Sequence, residues 1–395
     1  MVRMTDLSPI AGLHAATAEL DPPLAALDLT ALRANVADLV RRAGGVPVRV
    51  ASKAVRCRAI LEEVLGGELT AAGGLAGIMA YSLSEAIWLV RRGARDVLLG
   101  YPTVDRAALA ELATDETLLR SITLMVDDVA QLELIRAAVG TDLVRPRVCL
   151  DVDASLRIGP LHLGAHRSPV HAPEQAATLA AEALRRGFDV VGLMTYEAQI
   201  AGLPDSNVAV RLMKRVSAAE ITKRRKRVVD AVRSVTGKLE IVNSGGTGSI
   251  EVSIVDPDVT EVTAGSGLYV PTLFDHYRSF TPRPALFFAT SVLRRPTPSI
   301  ATVFSGGYIA SGPTGPSRVP KPVWPTGLRL IGAEGAGEVQ TPLTGASELR
   351  IGDRVWFRHA KAGELFERFD KVHLVEADGT RVTVPTYRGE GHCFG

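Results

Sequence analysis

From Leu27 to about Tyr277 the chain alternates short runs of Val, Ile and Leu with longer Ala/Leu/Arg stretches of helical period. This alternation restricts the fold more than any other feature. Eight runs read as strands: residues 46–53, 77–81, 97–101, 122–126, 147–152, 190–195, 239–243 and 261–263. Helical stretches follow them, at 54–65, 84–92, 105–113, 128–139, 174–186, within 208–235 and from about 249, after a first helix at 30–43. Runs such as Val190-Val191-Gly192-Leu193-Met194 are continuously apolar, as strands buried on both faces are. Eight strand–helix units are the number that closes a parallel barrel. An open doubly wound sheet of similar strand count is the alternative. After Thr281 the character changes to prolines, glycines and short β-type runs at 300–304, 355–358, 372–375 and 381–384. The expected fold class is α/β, a (β/α)8 TIM-type barrel over residues 27–280. A mostly β second domain follows over 281–395, and residues 1–26 are expected to pack with it.

Composition narrows the function classes. Lys+Arg 45 against Asp+Glu 43 leaves a net charge of +2, without the basic excess that nucleic-acid binding demands. The cluster Lys223-Arg224-Arg225-Lys226-Arg227 lies in a helical stretch and reads as a solvated face. No apolar run reaches the roughly 18 residues of a membrane span, and Met1 to Ala11 lacks the apolar stretch of a signal peptide. Cys57, Cys149 and Cys393 lie far apart with no CxxC, which argues against a disulfide framework and points to the reducing cytoplasm.

The chemistry of a parallel barrel sits at the C-terminal ends of its strands, with phosphate held by the loops after the seventh and eighth. Both of those loops are glycine-rich here: Asn243-Ser244-Gly245-Gly246-Thr247-Gly248-Ser249, and Ala264-Gly265-Ser266-Gly267-Leu268-Tyr269. Glycines let several backbone N–H groups approach a phosphate, and Ser244, Thr247 and Ser266 add hydroxyl donors. The first strand ends in Val50-Ala51-Ser52-Lys53-Ala54. A lysine at the barrel mouth, facing a phosphate site, suggests a Schiff base to an aldehyde. Phosphate loops and lysine together point to pyridoxal 5′-phosphate. A lysine that simply ends a strand in solvent is the plainer reading of Lys53 alone.

Residues 48–56, the segment Gly192-Leu193-Met194-Thr195-Tyr196-Glu197, residues 244–248 and residues 265–269 resemble the alanine-racemase-type (fold type III) pyridoxal phosphate barrel. The resemblance is closest to its D-threonine aldolase and D-serine dehydratase branch and runs from about residue 27 to the end. It implies that Lys53 carries the cofactor and that Asn243, Ser244, Gly245, Gly246, Thr247, Gly265, Ser266, Gly267 and Tyr269 line its site. It also places Arg157 near the ring hydroxyl and Tyr196 near the ring. The plainer readings are a surface arginine and a rim packing aromatic.

One departure matters. The branch carries His-x-Cys or His-x-Asp in its second domain, where both side chains bind a divalent metal beside the substrate hydroxyl. The matching stretch here is Arg358-His359-Ala360-Lys361-Ala362-Gly363-Glu364. A lysine ammonium cannot ligate and repels a divalent ion. No bound metal is therefore expected; Lys361 would polarise the substrate β-hydroxyl and His359 would take its proton. The alternative is that Lys361 faces solvent and other groups bind a metal.

The resemblance thus implies a lyase that cleaves Cα–Cβ of a β-hydroxy-α-amino acid of D configuration, as a homodimer. A dehydratase or deaminase and a racemase share the cofactor; a racemase needs a second base, and no residue stands out for it. A non-catalytic pyridoxal phosphate carrier and a cofactor-free sugar-phosphate barrel are the remaining readings. The tail with His392 and Cys393 reads as a loose terminus, and His162, His166 and His171 as surface or lid.

Overall fold

A computed structural model describes residues 8–140, 144–205, 208–277, 280–281 and 283–395. Most of the Met1–Ala11 segment lies outside the described residues. In chain order the strands are β1 (Leu24–Asp28), β2 (Val48–Ala51), β3 (Leu75–Ala80), β4 (Val97–Leu99), β5 (Ile122–Val126), β6 (Arg147–Asp151), β7 (Leu156–Ile158), β8 (Leu161–Leu163), β9 (Asp189–Thr195), β10 (Ile241–Ser244) and β11 (Glu261–Ala264). Then come β12 (Leu286–Thr297), β13 (Ile300–Phe304), β14 (Lys321–Trp324), β15 (Arg329–Leu330), β16 (Gln340–Thr344), β17 (Arg354–Arg358), β18 (Lys371–Val375) and β19 (Arg381–Pro385).

Two compact units form, and neither is continuous in the chain. One comprises Asp38–Ser52, Leu61–Gly265 and Phe394–Gly395; the other comprises Met1–Ala37, Lys53–Ile60 and Ser266–Cys393.

In the first unit, β10, β11, β2, β3, β4, β5, β6 and β9 close a barrel of parallel strands. The expected barrel therefore holds, and the open sheet is excluded. Met79, Leu98, Met125, Cys149, Val191, Met194 and Ile241 pack as one buried cluster. Gly192 shows why the continuous apolar run of β9 needs a glycine: an added Cβ would stand 2.3 Å from the Ile241 carbonyl oxygen. Helix starts are set by side chains. Asp105, Asp115 and Asp128 each accept a backbone N–H of the first turn, and Asp128 forms a capping box with Gln131.

Polar groups are neutralised inside this barrel. Arg49 on β2 is 1% exposed and bonds Glu261 at 2.7 Å and Asp96 at 3.0 Å. Burial alone would lower its pKa, but the two carboxylates reverse that and push it upward. The neighbouring Asn243 amide donates to Glu261 and Thr263.

The second unit is built on a nine-stranded mixed sheet. β1 lies between β12 (antiparallel) and β18 (parallel). The helix Ser8–Ala16 contributes Ile10 and Leu13 to a cluster with Phe287, Trp356 and Val375. The loose terminus expected at the C-terminal end is folded: Tyr387 is 1% exposed, Glu390 pairs with Arg58, and in the barrel unit Phe394 packs on Trp88 at 5.5 Å.

Candidate active site

In the barrel unit β10 and β11 pair in parallel, with Asn243 opposite Glu261 and Ser244 opposite Val262. Their glycine-rich ends, residues 245–248 and Gly265, therefore emerge from neighbouring strands. The loop is fixed from beneath by a buried network. Glu197 is fully buried and accepts from the Ser244 hydroxyl (3.0 Å), the Gly245 N–H (3.2 Å) and the Ser253 hydroxyl (2.5 Å). Arg225 donates to the Ser244 hydroxyl at 2.7 Å and to Thr195 at 2.8 Å, and pairs with Asp256 at 2.8 Å. From the helix Leu29–Arg42, Arg42 donates to the Thr247 carbonyl at 2.7 Å and holds Glu251.

This corrects two expectations. Ser244 is fully buried, and its hydroxyl is spent inside the network instead of being offered outward to phosphate. The basic cluster is not a solvated face throughout. Arg225 is 1% exposed, and Arg224 is buried against Glu220 and the carbonyls of Asp153 and Ser155. The open positions of the loop are Gly246 and Gly248, while Thr247 is buried. Gly246 sits so close to Tyr196 that an added Cβ would stand 3.3 Å from its Cε2 and 2.9 Å from the Ala201 Cβ.

Tyr196 follows β9, and burial pushes its hydroxyl up to about 12. Arg157 on β7 is half exposed and bonds Asp153 at 2.5 Å. Burial works to raise the Asp153 carboxyl, but Ser155 and Arg157 together hold it below its ordinary value. His162 and His166, on and just after the β7–β8 hairpin, stack at 3.8 Å.

In the second unit Lys53 occupies the short turn Ser52–Ala54 that follows β2, and it is exposed. The loop 359–364 lies directly against it. Gly363 has φ +82, and an added Cβ would fall 1.9 Å from the Lys53 carbonyl oxygen. Lys361 on this loop donates to the Ser311 hydroxyl at 2.7 Å and pairs with Glu364 at 3.5 Å. Glu364 also accepts the Ser311 N–H at 2.7 Å. Burial opposes this, yet Ser311 and Lys361 hold the Glu364 carboxyl below its ordinary range.

His359 differs from its expected role. It is 2% exposed, and among the described residues neither ring nitrogen makes a well-formed hydrogen bond. Burial first, and the charge of Arg358 second, push it down to about 3. A walled-off imidazole that weak is a poor proton acceptor at neutral pH. Tyr269 stands edge-on to it with centroids 6.4 Å apart, and its hydroxyl donates to the Val55 carbonyl at 2.9 Å. That hydroxyl is thus spent on packing the turn region. Ser266 is partly exposed, and Gly267 is buried beside Leu268.

The sequence profile described as "Alanine racemase, N-terminal domain" matches residues 27–272. The chain belongs to this family. It is 25% identical over 304 residues, covering 73% of this chain and 72% of the relative, to a protein named 3-hydroxy-D-aspartate aldolase from Paracoccus denitrificans (strain Pd 1222). The D-threonine aldolase structure from Filomicrobium marinum superposes with a TM-score of 0.79 at 22% identity, covering 94% of this chain and 96% of that one. The D-threo-3-hydroxyaspartate dehydratase from Delftia sp. HT23 gives 0.74 at 19% identity, covering 93% and 97%. These likenesses show a shared fold across both units, and the resemblance read from the residues holds.

The residues fit the phosphate-bearing cofactor of this family. Glycine tips two adjacent strand ends, Gly246 leaves a cradle at the edge of Tyr196 that a Cβ would fill, and an exposed lysine follows β2. A divalent ion fits poorly. In this loop His359 is followed two residues on by Lys361, whose ammonium cannot ligate and is held by Ser311 and Glu364.

Proposed function

We propose that the chain is a pyridoxal 5′-phosphate-dependent lyase that cleaves the Cα–Cβ bond of a β-hydroxy-α-amino acid of D configuration, with no divalent ion at the 359–364 loop. The observation that carries this reading is the seating of the Lys53 turn on Gly363, which ties an exposed lysine to the loop bearing Lys361 and Glu364. The names of the relatives, two aldolases and a dehydratase of β-hydroxy amino acids, support it.

Residues 27–280 on this reading carry the cofactor, and 281–395 supply the acid–base groups. Lys53 would hold the cofactor through its ε-amine; Gly246, Gly248, Gly265 and Ser266 would receive the phosphate, and Tyr196 would flank the ring. When bound, pyridoxal phosphate supplies an electron sink for the pair released as Cα–Cβ breaks. Lys361 would polarise the substrate β-hydroxyl, and Glu364, which accepts from Ser311 and pairs with Lys361, would hold that ammonium in position. His359, buried and neutral, packs the loop. The chain is read as a cytoplasmic homodimer; Cys57 and Cys149 are free and buried, and no described helix is long and apolar enough to cross a membrane.

The purified protein should absorb visible light, lose that band in Lys53→Ala, and release an aldehyde from D-threonine or D-3-hydroxyaspartate. A colourless wild type, or a fully active Lys53→Ala, overturns the reading. Release of a keto acid in place of an aldehyde makes the protein a dehydratase. Activity that a chelator abolishes and manganese or zinc restores overturns the metal-free part.

A further inference from the structure

Four consecutive barrel strands end around one arginine that the reading above does not use. Tyr101 follows β4, Asp127 follows β5, Asp151 ends β6, and Tyr196 follows β9. Arg167 comes from the segment after β8, and its guanidinium carbon lies 5.7 Å from the Tyr196 ring centroid and 6.0 Å from that of Tyr101. The segment behind it is anchored. The Ser168 hydroxyl donates to the Asp151 carbonyl at 2.7 Å and accepts the Val170 N–H at 3.0 Å.

The contrast with the neighbouring arginines is what assigns a role. Arg157, Arg224 and Arg225 are each tied to a carboxylate. Arg167 is exposed, and among the described residues its guanidinium makes no hydrogen bond or ion pair. The charge of Arg167 acts on Asp151 and lowers its pKa. Burial first and Asp127 second outweigh that and push the carboxyl up to about 7. Two tyrosine rings lie within cation–π range of this guanidinium, and its planar fork of N–H donors suits a carboxylate in two-point geometry.

We propose that Arg167 binds a carboxylate of the substrate and thereby selects it. The inference rests on the lyase reading for the identity of the substrate, but the site itself is defined by the barrel unit alone. The carboxylate is either the α-carboxylate of the amino acid or one on its side chain.

The test compares holoenzyme with Arg167→Met and Arg167→Lys, after thermal melting has shown all three to be folded. Arg167→Met should raise KM by about ten- to a hundredfold with kcat little changed, the loss of a charged two-point hydrogen bond. Arg167→Lys, which keeps charge and loses the fork, should fall between. A rise for both D-threonine and D-3-hydroxyaspartate assigns the α-carboxylate; a rise for the dicarboxylate alone assigns the side-chain group. An unchanged KM for both, or a fall in kcat alone, overturns the proposal. Calorimetric titration of malonate reads the same site without turnover. Malonate that binds wild type and Arg167→Met equally overturns the proposal. If wild type releases no aldehyde and yet loses malonate binding in Arg167→Met, the lyase reading fails and Arg167 keeps its role.

Discussion

Inside the barrel, Arg49 has Glu261 and Asp96 on its guanidinium, and Asn243 completes the hydrogen bonding of Glu261. At the ends of β4, β5, β6 and β9, the Arg167 guanidinium stands near two tyrosine rings without a hydrogen-bond or ion-pair partner among the described residues, and burial pushes the Asp151 carboxyl toward its neutral form. Both regions hold a carboxylate away from water, Glu261 in the first and Asp151 in the second, but only the first bonds it to a guanidinium. Compensated charge behaves as structure, because removing one partner strands the other. Uncompensated charge lowers the stability of the folded chain and is retained where something outside the chain completes it.

The comparison can be broken most directly from the interior. Glu261→Gln removes the nearer carboxylate from a nearly fully buried Arg49 and should cost about 3–5 kcal/mol in urea unfolding. Replacing both, Arg49→Met with Glu261→Leu, should recover most of that loss; an equal loss would show that the pair is not acting as a unit.

The rim gives a smaller effect of opposite sense. The Asp151 carboxyl titrates at about 7 in the folded chain against an ordinary value of 3.8. The folded state therefore holds this proton more tightly. The stability it contributes is fully present below about pH 4 and is lost as the pH rises through 7. Asp151→Asn should remove this part of the pH dependence and stabilise the protein at pH 8 by on the order of 2 kcal/mol, after allowance for solvent at the rim. A stability curve between pH 4 and 8 with the same slope in both proteins would mean that the rim carries no such strain. The smallest effect belongs to a pair exposed on the basic helix. Lys226 and Asp230, at 63% and 55% side-chain exposure, should contribute less than about 0.5 kcal/mol when Lys226→Ala is measured by the same melts.

How much could be read from residues alone follows from the same physics. All eight barrel strands were legible because strands buried on both faces are mostly apolar, with Arg49 on β2 paired to Glu261 on β11, and β5 runs over residues 122–126 as read. β1 escaped notice because Leu24–Asp28 is short and acquires its meaning from partners hundreds of residues away on β12 and β18. β12 was hidden because its far half carries Arg294, Arg295 and Pro296 in place of an apolar pattern. The glycine loops and Lys53 were visible as residue types at strand ends. Burial of Arg224 and Arg225 was not, since five consecutive basic residues look the same whichever side faces the barrel. Glu197 adjoins Tyr196, and a carboxylate directly after an apolar strand was the available hint of the network beneath the loop. Arg167 left no such trace, because its significance lies in two tyrosines from distant strands.

The contact between Gly363 and the Lys53 carbonyl bears on how such proteins can be recombined. The lysine turn belongs to the same compact unit as the late sheet, although the sequence places it just beyond the opening barrel strand. A chimera that grafts a foreign C-terminal portion onto this barrel would bring an unrelated loop against that turn. Any residue larger than glycine at the junction would shove the lysine backbone aside, so successful grafts should exchange residues 53–60 and the late sheet as one cassette.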